Sequence, residues 1–175
     1  MFQFKHRAIA AMLAVLFGLS GVGFGQRAAS GPVQFSLRSL NGQAITSDSL
    51  RGEVVVLAFG ASWLPLSKTQ LQGLKQLADE YADRGVAVYW VSTESENPKS
   101  KNFASDEQLR VLAQKYSVTV LRDPDGAASK KLGVDQIPAL VMLDKQGNMV
   151  GEPVKGMAPD GNLVAQLGEQ LKKLL

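Results

Sequence analysis

The 175-residue chain contains no cysteine, and its one histidine is His6. The thiolate is the reacting group in disulfide exchange and in thiol-based peroxide reduction, so this polypeptide cannot perform either reaction alone. A lone histidine close to the N-terminus also argues against serine–histidine and cysteine–histidine catalysis. Metal sites built from thiolate or imidazole ligands are excluded for the same reason.

Residues 1–25 have the composition of a secretory signal peptide. A basic start, residues 5–7, precedes an uncharged apolar run over residues 8–19, and small residues follow it. We predict cleavage before Gln26, which leaves one exported domain, residues 26–175, in the periplasm or secreted. The alternative is an uncleaved anchor, but the run is shorter than the ~20 apolar residues that span a bilayer. After cleavage we therefore predict no membrane association.

Cleavage would remove Lys5, His6 and Arg7, so that lysine plus arginine falls from 19 to 17 against 16 acidic residues. This near balance, and the lack of a basic block, give no reason to predict a nucleic-acid partner. The mature chain would have neither histidine nor cysteine, and we predict no metal and no other cofactor. A domain of this size buries roughly 70% of its unfolded surface, so an ordinary core can stabilise it without disulfides.

Strand and helix periodicities alternate along the chain, which predicts an α/β fold with a central mixed β-sheet flanked by helices. An N-terminal β-hairpin extension is predicted where Asn41–Gly42 separates two apolar segments. The predicted elements are strands over 33–40, 44–46, 54–59 and 86–91, a helix from Pro65 to about residue 84, a helix after the capping box at 105–108, a strand over 118–121, a helix over 127–132, a hairpin of 139–143 with 149–150, and a final helix over 163–174.

Three segments carry a family resemblance. Residues 39–42 followed by 49–52 resemble an opening hairpin and the approach to a central strand, residues 63–67 resemble the start of a redox helix, and residues 133–139 resemble a Gly-Val-x-x-x-Pro-Thr segment. In this order they are similar to the thioredoxin superfamily, and most closely to its exported TlpA/ResA-type disulfide reductases of the redoxin, or AhpC-TSA-like, group. The resemblance implies a thioredoxin fold with a cis peptide bond before Pro138.

The chain departs from that family at the redox motif. Where the family has Trp-Cys-x-x-Cys, Leu64 and Ser67 occupy the two cysteine positions, and Gln70 stands where an acidic residue is often found. Leu64 cannot ionise, and Ser67 has no histidine to activate it, so we expect Ser67 to be an ordinary hydroxyl on the helix surface. Pro65 between them suits the first turn of a helix. We therefore predict no catalytic residue, and a chain that is not an enzyme in its own right although its family is one of oxidoreductases.

What remains of the family site predicts a binding surface. Trp63, Leu64 and Leu66 would supply apolar contact, and the Ile137–Pro138 loop would pair by its backbone with an extended polypeptide. One alternative is a retired site whose leucines pack into the core and whose proline is only a rigid turn. Another is that the family's oxidoreductase role is exercised through a cysteine-containing redox-protein partner.

The remaining candidate residues have structural interpretations. Asp123, Asp125 and Asp144 could suggest a hard cation, but each lies in a turn beside proline or glycine, where aspartate bonds to local backbone. We predict that they stabilise turns. Trp90 and Tyr89 lie in a predicted buried strand and are expected in the core.

Overall fold

The computed structural model describes residues 31–158 and 160–175. The predicted signal peptide, residues 1–25, lies outside the described residues. The elements, in chain order, are β1 (Ser36–Ser39), β2 (Ala44–Thr46), a 3₁₀ turn (Ser47–Leu50), β3 (Val54–Gly60), α1 (Pro65–Tyr81), β4 (Val86–Ser92), α2 (Asp106–Tyr116), β5 (Thr119–Arg122), α3 (Ala127–Lys131), β6 (Ala139–Leu143), β7 (Val154–Lys155) and α4 (Leu163–Leu174).

The strands form one mixed sheet in the order β2-β1-β5-β4-β3-β6-β7. The central strands β3, β4 and β5 are parallel, whereas β1, β6 and β7 join their neighbours antiparallel. The parallel register pairs Ala58 with Trp90 and Gly60 with Ser92. The carboxyl ends of β3 and β4 therefore meet at one edge of the sheet, which is where α/β proteins place their sites.

Strand β3 is buried on both faces, which explains its unbroken apolar sequence. Val54, Val56 and Ala58 belong to the core on the side covered by α1 and α4. Val55, Leu57 and Phe59 belong to a second core, which includes Leu132 just after α3. Within the described parts of the chain, no helix combines the length and the apolar composition needed to cross a membrane.

Most of the predicted elements are confirmed. The hairpin of β1 and β2 turns at Gly42, whose φ of 85° is readily adopted by glycine alone. The capping box is present, because Ser105 accepts from the Gln108 N–H and the Gln108 side chain accepts from the Ser105 N–H. Trp90 is fully buried, while Tyr89 is half-buried, and that burial raises the pKa of the Tyr89 phenol.

The predicted hairpin of 139–143 with 149–150 forms, but its pairing is short. Met149 bridges Leu143 antiparallel and the Val150 N–H donates to the Met142 carbonyl at 2.9 Å, whereas the start of β6 pairs with β7, a strand that was not predicted. Gly151 has a φ of 74°, a left-handed conformation that turns the chain before it can extend as a strand. The segment returns to the sheet only at Val154.

Candidate functional site

The candidate site lies where β3 and β4 end side by side. The backbone N–H of Thr93 donates to the Gly60 carbonyl at 3.0 Å, and the Thr93 hydroxyl donates to the same oxygen at 3.2 Å. A turn follows, closed by the Leu64 N–H donating to the Ala61 carbonyl at 3.1 Å, and α1 begins at Pro65. Pro65 occupies the first turn of the helix, as predicted.

Ser67 is not a surface hydroxyl: its side chain is fully buried. The first turn of α1 lies against the end of β3, and the Ser67 Oγ accepts from the Ala61 N–H at 3.2 Å. The fit requires glycine at position 60, because a Cβ there would lie 2.6 Å from the Ser67 Oγ and 2.9 Å from the Trp90 Nε1. The expectation of exposure was wrong because sequence periodicity does not show what a first helical turn packs against.

Gln70 is also fully buried and joins three elements. Its Nε2 donates to the Ala139 carbonyl at 3.2 Å, and its Oε1 accepts from the Trp90 indole at 3.1 Å. An ionised carboxylate could not make both bonds, because it has no proton to donate to a carbonyl. The glutamine therefore fixes α1 to β4 and to the start of β6, immediately after Pro138.

The loop before β6 has the conformation that the resemblance implied. The Ile137–Pro138 peptide bond is cis, and the Pro138 carbonyl accepts from the Gly156 N–H at 2.8 Å. Pro138 is buried, so its side chain shapes the loop and does not present a contact surface. Ile137 is half-buried, and neither its N–H nor its C=O forms a hydrogen bond with any described residue.

Trp63 and Leu66 do not pack into the core: they are 59% and 52% exposed, and Leu64 between them is half-buried. The Trp63 indole is nevertheless held, because its Nε1 donates to the Asn102 Oδ1 at 2.7 Å. The Asn102 amide in turn donates to the Thr93 carbonyl at 3.2 Å. We refer to Trp63, Leu64, Leu66 and Ile137 as the Trp63 surface.

Glu94 supports the turn that carries Trp63. It is only 1% exposed, and its carboxyl accepts from the Ser62 N–H at 2.9 Å, from the Ser62 hydroxyl at 2.7 Å and from the Ser92 hydroxyl at 3.0 Å. No lysine or arginine of the described residues forms an ion pair with it. The carboxyl is thus bound entirely by neutral donors.

The loop between β4 and α2, which carries Asn102, is fixed at both ends by Arg122. The Arg122 guanidinium is buried and donates to the Glu94 carbonyl at 3.2 Å and to the Ala104 carbonyl at 2.8 Å. It also pairs with Asp106 at 2.5 Å. Hydrogen bonds from Arg38 and from Arg122 lower the pKa of the Asp106 carboxyl, although burial opposes the shift.

A groove of about 250 Å³ runs between Thr93 and Ile137, with Ser129 and Val134 in its walls. Among the described residues, no hydrogen bond joins Trp63 directly to Ile137; Thr93, which lines the groove with Ile137, accepts from Asn102, the partner of the indole. The end of β3, which precedes Trp63, pairs with the start of β6, which follows Ile137, so the two predicted residues lie at the same end of the sheet.

Sequence reasoning missed two residues of this site. Glu94 had a usable signal, because it follows a buried strand at the sheet edge where polar site residues collect. Asn102 lies in a polar loop with no pattern of its own, so nothing local indicated that it binds the indole.

The three turn aspartates act as predicted. Asp144 accepts from the N–H groups of Gln146 and Asn148, and Asp125 accepts from that of Ala127. Asp123 likewise accepts backbone N–H groups of α3. Within the ranges that the structure describes, no group of three or more histidine, cysteine, aspartate or glutamate side chains could hold a metal ion.

Comparison with known proteins gives the family. The sequence profile of the AhpC/TSA family matches residues 26–151. The chain is 30% identical over 117 residues to the thioredoxin-like protein YneN of Bacillus subtilis, covering 65% of this chain and 63% of YneN. It is 26% identical over 140 residues to the thiol-disulfide oxidoreductase ResA of Bacillus thuringiensis, covering 80% of this chain and 74% of ResA. The crystal structure of the exposed lipoprotein thioredoxin Etrx1 of Streptococcus pneumoniae superposes with a TM-score of 0.60 at 25% identity, covering 78% of this chain and 98% of Etrx1.

The chain therefore belongs to the AhpC/TSA family, has the thioredoxin fold and has relatives among the ResA-type thiol-disulfide oxidoreductases. This confirms the resemblance drawn from the sequence. The matched part of the chain spans less than two thirds of the length of YneN. The family scaffold is present, and both thiols are absent.

Proposed function

We propose that this protein is a non-catalytic polypeptide-binding module built on the thioredoxin fold. The observation that carries the proposal is an exposed indole held in one orientation by Asn102, in a chain without a thiol. An aromatic side chain that is already fixed supplies a large contact area at little entropic cost on binding. Leu66, three residues later in the chain and also exposed, adds apolar area.

The backbone of Ile137 supports an extended ligand. Its N–H and C=O have no partner among the described residues, and the groove toward Thr93 lies beside them. An extended peptide can pair with such a segment through main-chain hydrogen bonds, while its side chains find apolar contacts. The ligand would therefore lie over this end of the sheet, from Ile137 to Trp63.

The test is direct binding of short synthetic peptides of extended, apolar-centred sequence, measured by calorimetry and by indole fluorescence. We expect Trp63→Ala to weaken binding by at least about tenfold, because tryptophan anchors dominate interface energies. The matched control is Val111→Ala, which removes an equally exposed apolar side chain (58%) from α2. If no peptide binds, or if both variants weaken binding equally, the proposal fails. The result would then favour the alternative that the former redox site has no remaining function.

A second candidate is the family's oxidoreductase role, exercised through a cysteine-containing partner. Its support is the similarity to ResA, which is named a thiol-disulfide oxidoreductase. This candidate predicts that a complex captured from the cell envelope reduces insulin disulfides faster than the partner does alone. Equal rates with and without this chain would reject it.

We further propose that the chain is exported, to the periplasm or outside the cell. The support is the basic and apolar pattern of residues 1–25, together with similarity to a pneumococcal protein described as an exposed lipoprotein. The mass of the exported protein tests this proposal, because cleavage would leave an N-terminus at or near Gln26.

A further inference from the structure

Three lysines border the Trp63 surface without partners. Lys68 lies one helical turn after Leu64 on α1, and Lys99 and Lys101 lie in the loop whose Asn102 holds the indole. All three are exposed, and none forms an ion pair or a side-chain hydrogen bond with a described residue. These three lysines, which we call the basic rim, therefore carry positive charge that no described residue neutralises.

The acidic residues at this end of the sheet are already bound. Glu94 is buried against serine donors, Glu96 pairs with Arg38, and Asp135 pairs with Lys155 at 2.6 Å. Asp125 is exposed, but it lines a separate cavity next to the β1–β2 hairpin. Asp160 is exposed and precedes Gly161, which packs against Thr69 of α1; its carboxyl accepts from the Asn162 N–H at 3.0 Å. Around the Trp63 surface, the three lysines therefore outnumber the carboxylates that have no cationic partner.

We propose that the Trp63 surface takes an extended polypeptide segment in which an apolar side chain is flanked by aspartate or glutamate. This inference rests on the proposed polypeptide-binding function and specifies the partner's chemistry. An apolar centre with a basic rim is complementary to an apolar residue between carboxylates, and opposite charges at a rim favour encounter and orientation. A lysine-flanked segment would meet like charge from both α1 and the loop.

The test uses an array of short peptides that share a central valine, leucine, isoleucine or phenylalanine and differ only in their flanks, which are glutamate, serine or lysine. We expect glutamate-flanked peptides to bind about tenfold more tightly than lysine-flanked ones at low salt, with serine flanks between. The difference should nearly vanish at about 1 M salt, where the Debye length is about 3 Å.

Reversing the charge of single lysines tests whether the preference for glutamate-flanked peptides comes from the basic rim. Lys101→Glu and, separately, Lys68→Glu should each weaken binding of the glutamate-flanked peptides severalfold and strengthen binding of the lysine-flanked ones. The matched control is Lys173→Glu on α4, which makes the same change in net charge. Leu175, which follows α4, accepts from the Lys145 ammonium. The Lys145 carbonyl accepts from the Gly52 N–H, just before β3, so the end of α4 lies at the opposite end of β3 from the site.

The outcomes separate the two proposals. Equal binding of all three flank classes, or a preference for lysine flanks, overturns the acidic-partner inference and leaves polypeptide binding intact. An equal effect of Lys173→Glu also overturns it, since the preference would then come from net charge and not from the rim. Failure of every peptide to bind overturns the proposed function and this inference together.

Discussion

Replacing Glu94 with glutamine should be nearly neutral, while replacing it with alanine should be costly. The carboxyl is bound by three neutral donors, namely the Ser62 N–H, the Ser62 hydroxyl and the Ser92 hydroxyl. In Glu94→Gln the amide oxygen can keep the Ser62 N–H, and the amide nitrogen can donate to a serine hydroxyl, because a hydroxyl both donates and accepts. No cation loses a partner, so we expect the free energy of unfolding to change by less than about 1 kcal/mol.

Glu94→Ala removes the acceptor of the Ser62 N–H and leaves a void. An orphaned buried donor costs about 1–3 kcal/mol, and each lost methylene costs about 0.8 kcal/mol. The sum, about 2–4 kcal/mol, corresponds to a fall in melting temperature of about 4–16 °C for a domain of this size. The turn that carries Trp63 also loses its support, so peptide affinity should fall with stability.

The assay is urea unfolding of the wild type and both variants, with indole fluorescence of the folded proteins and peptide affinity recorded in parallel. Glu152→Ala is the control, because Glu152 is exposed and makes no ion pair with a described residue; its effect should stay within about 0.5 kcal/mol. A Glu94→Gln variant as unstable as Glu94→Ala would refute the reasoning, since it would mean that the negative charge itself holds the turn.

Four further predictions follow from the site. The purified protein should not reduce insulin disulfides above a control without protein, and robust turnover would contradict the loss of thiol chemistry. The double change Leu64→Cys with Ser67→Cys should close a disulfide under mild oxidant, with a first thiol whose pKa lies below the free value of about 8.5; a pair that stays reduced would mean that the helix start has moved. Asp106→Asn should destabilise the protein by about 2 kcal/mol at neutral pH, because Arg38 and buried Arg122 lose the carboxylate to which both donate. Since the folded pKa of Asp106 is lowered from 3.8, this loss should shrink as the pH falls through the folded pKa; a loss unchanged in acid would exclude the ion pair as its cause. Mass spectrometry of the exported protein should give an N-terminus at or near Gln26, and an intact Met1 in membrane would show an anchor.

The elements predicted from sequence were those whose signals are local. The capping box at Ser105 and Gln108 and the turn at Gly42 are encoded within a few residues, and both formed as predicted. The continuous apolar run of β3 was informative because burial on both faces leaves no polar position. Strand β7 is two residues long and pairs only through tertiary context, so its sequence carried no periodicity to detect.

The sequence predicted which residues form the candidate site, but not the contacts that hold them. The family resemblance located Trp63 and Pro138, but Ser67 was expected on the outside and lies fully buried. Its burial depends on Gly60, seven residues earlier, which alone leaves room for the hydroxyl. The contacts of Glu94 and Asn102 join separate loops, and such contacts exist only once the sheet has formed.

Arg122 gives the loop between β4 and α2 a particular kind of motion. Because one side chain binds carbonyls at both ends of that loop, neither end can detach while the guanidinium keeps its place. Opening then becomes a single cooperative event and not progressive fraying from one end, the behaviour of a small unit of local unfolding. Asn102 lies within the unit, so the indole loses its fixed orientation only in the open state. The hydrogen bond that holds the indole is thus lost only when the whole loop opens, and the population of the open state can be read from amide hydrogen exchange in the loop.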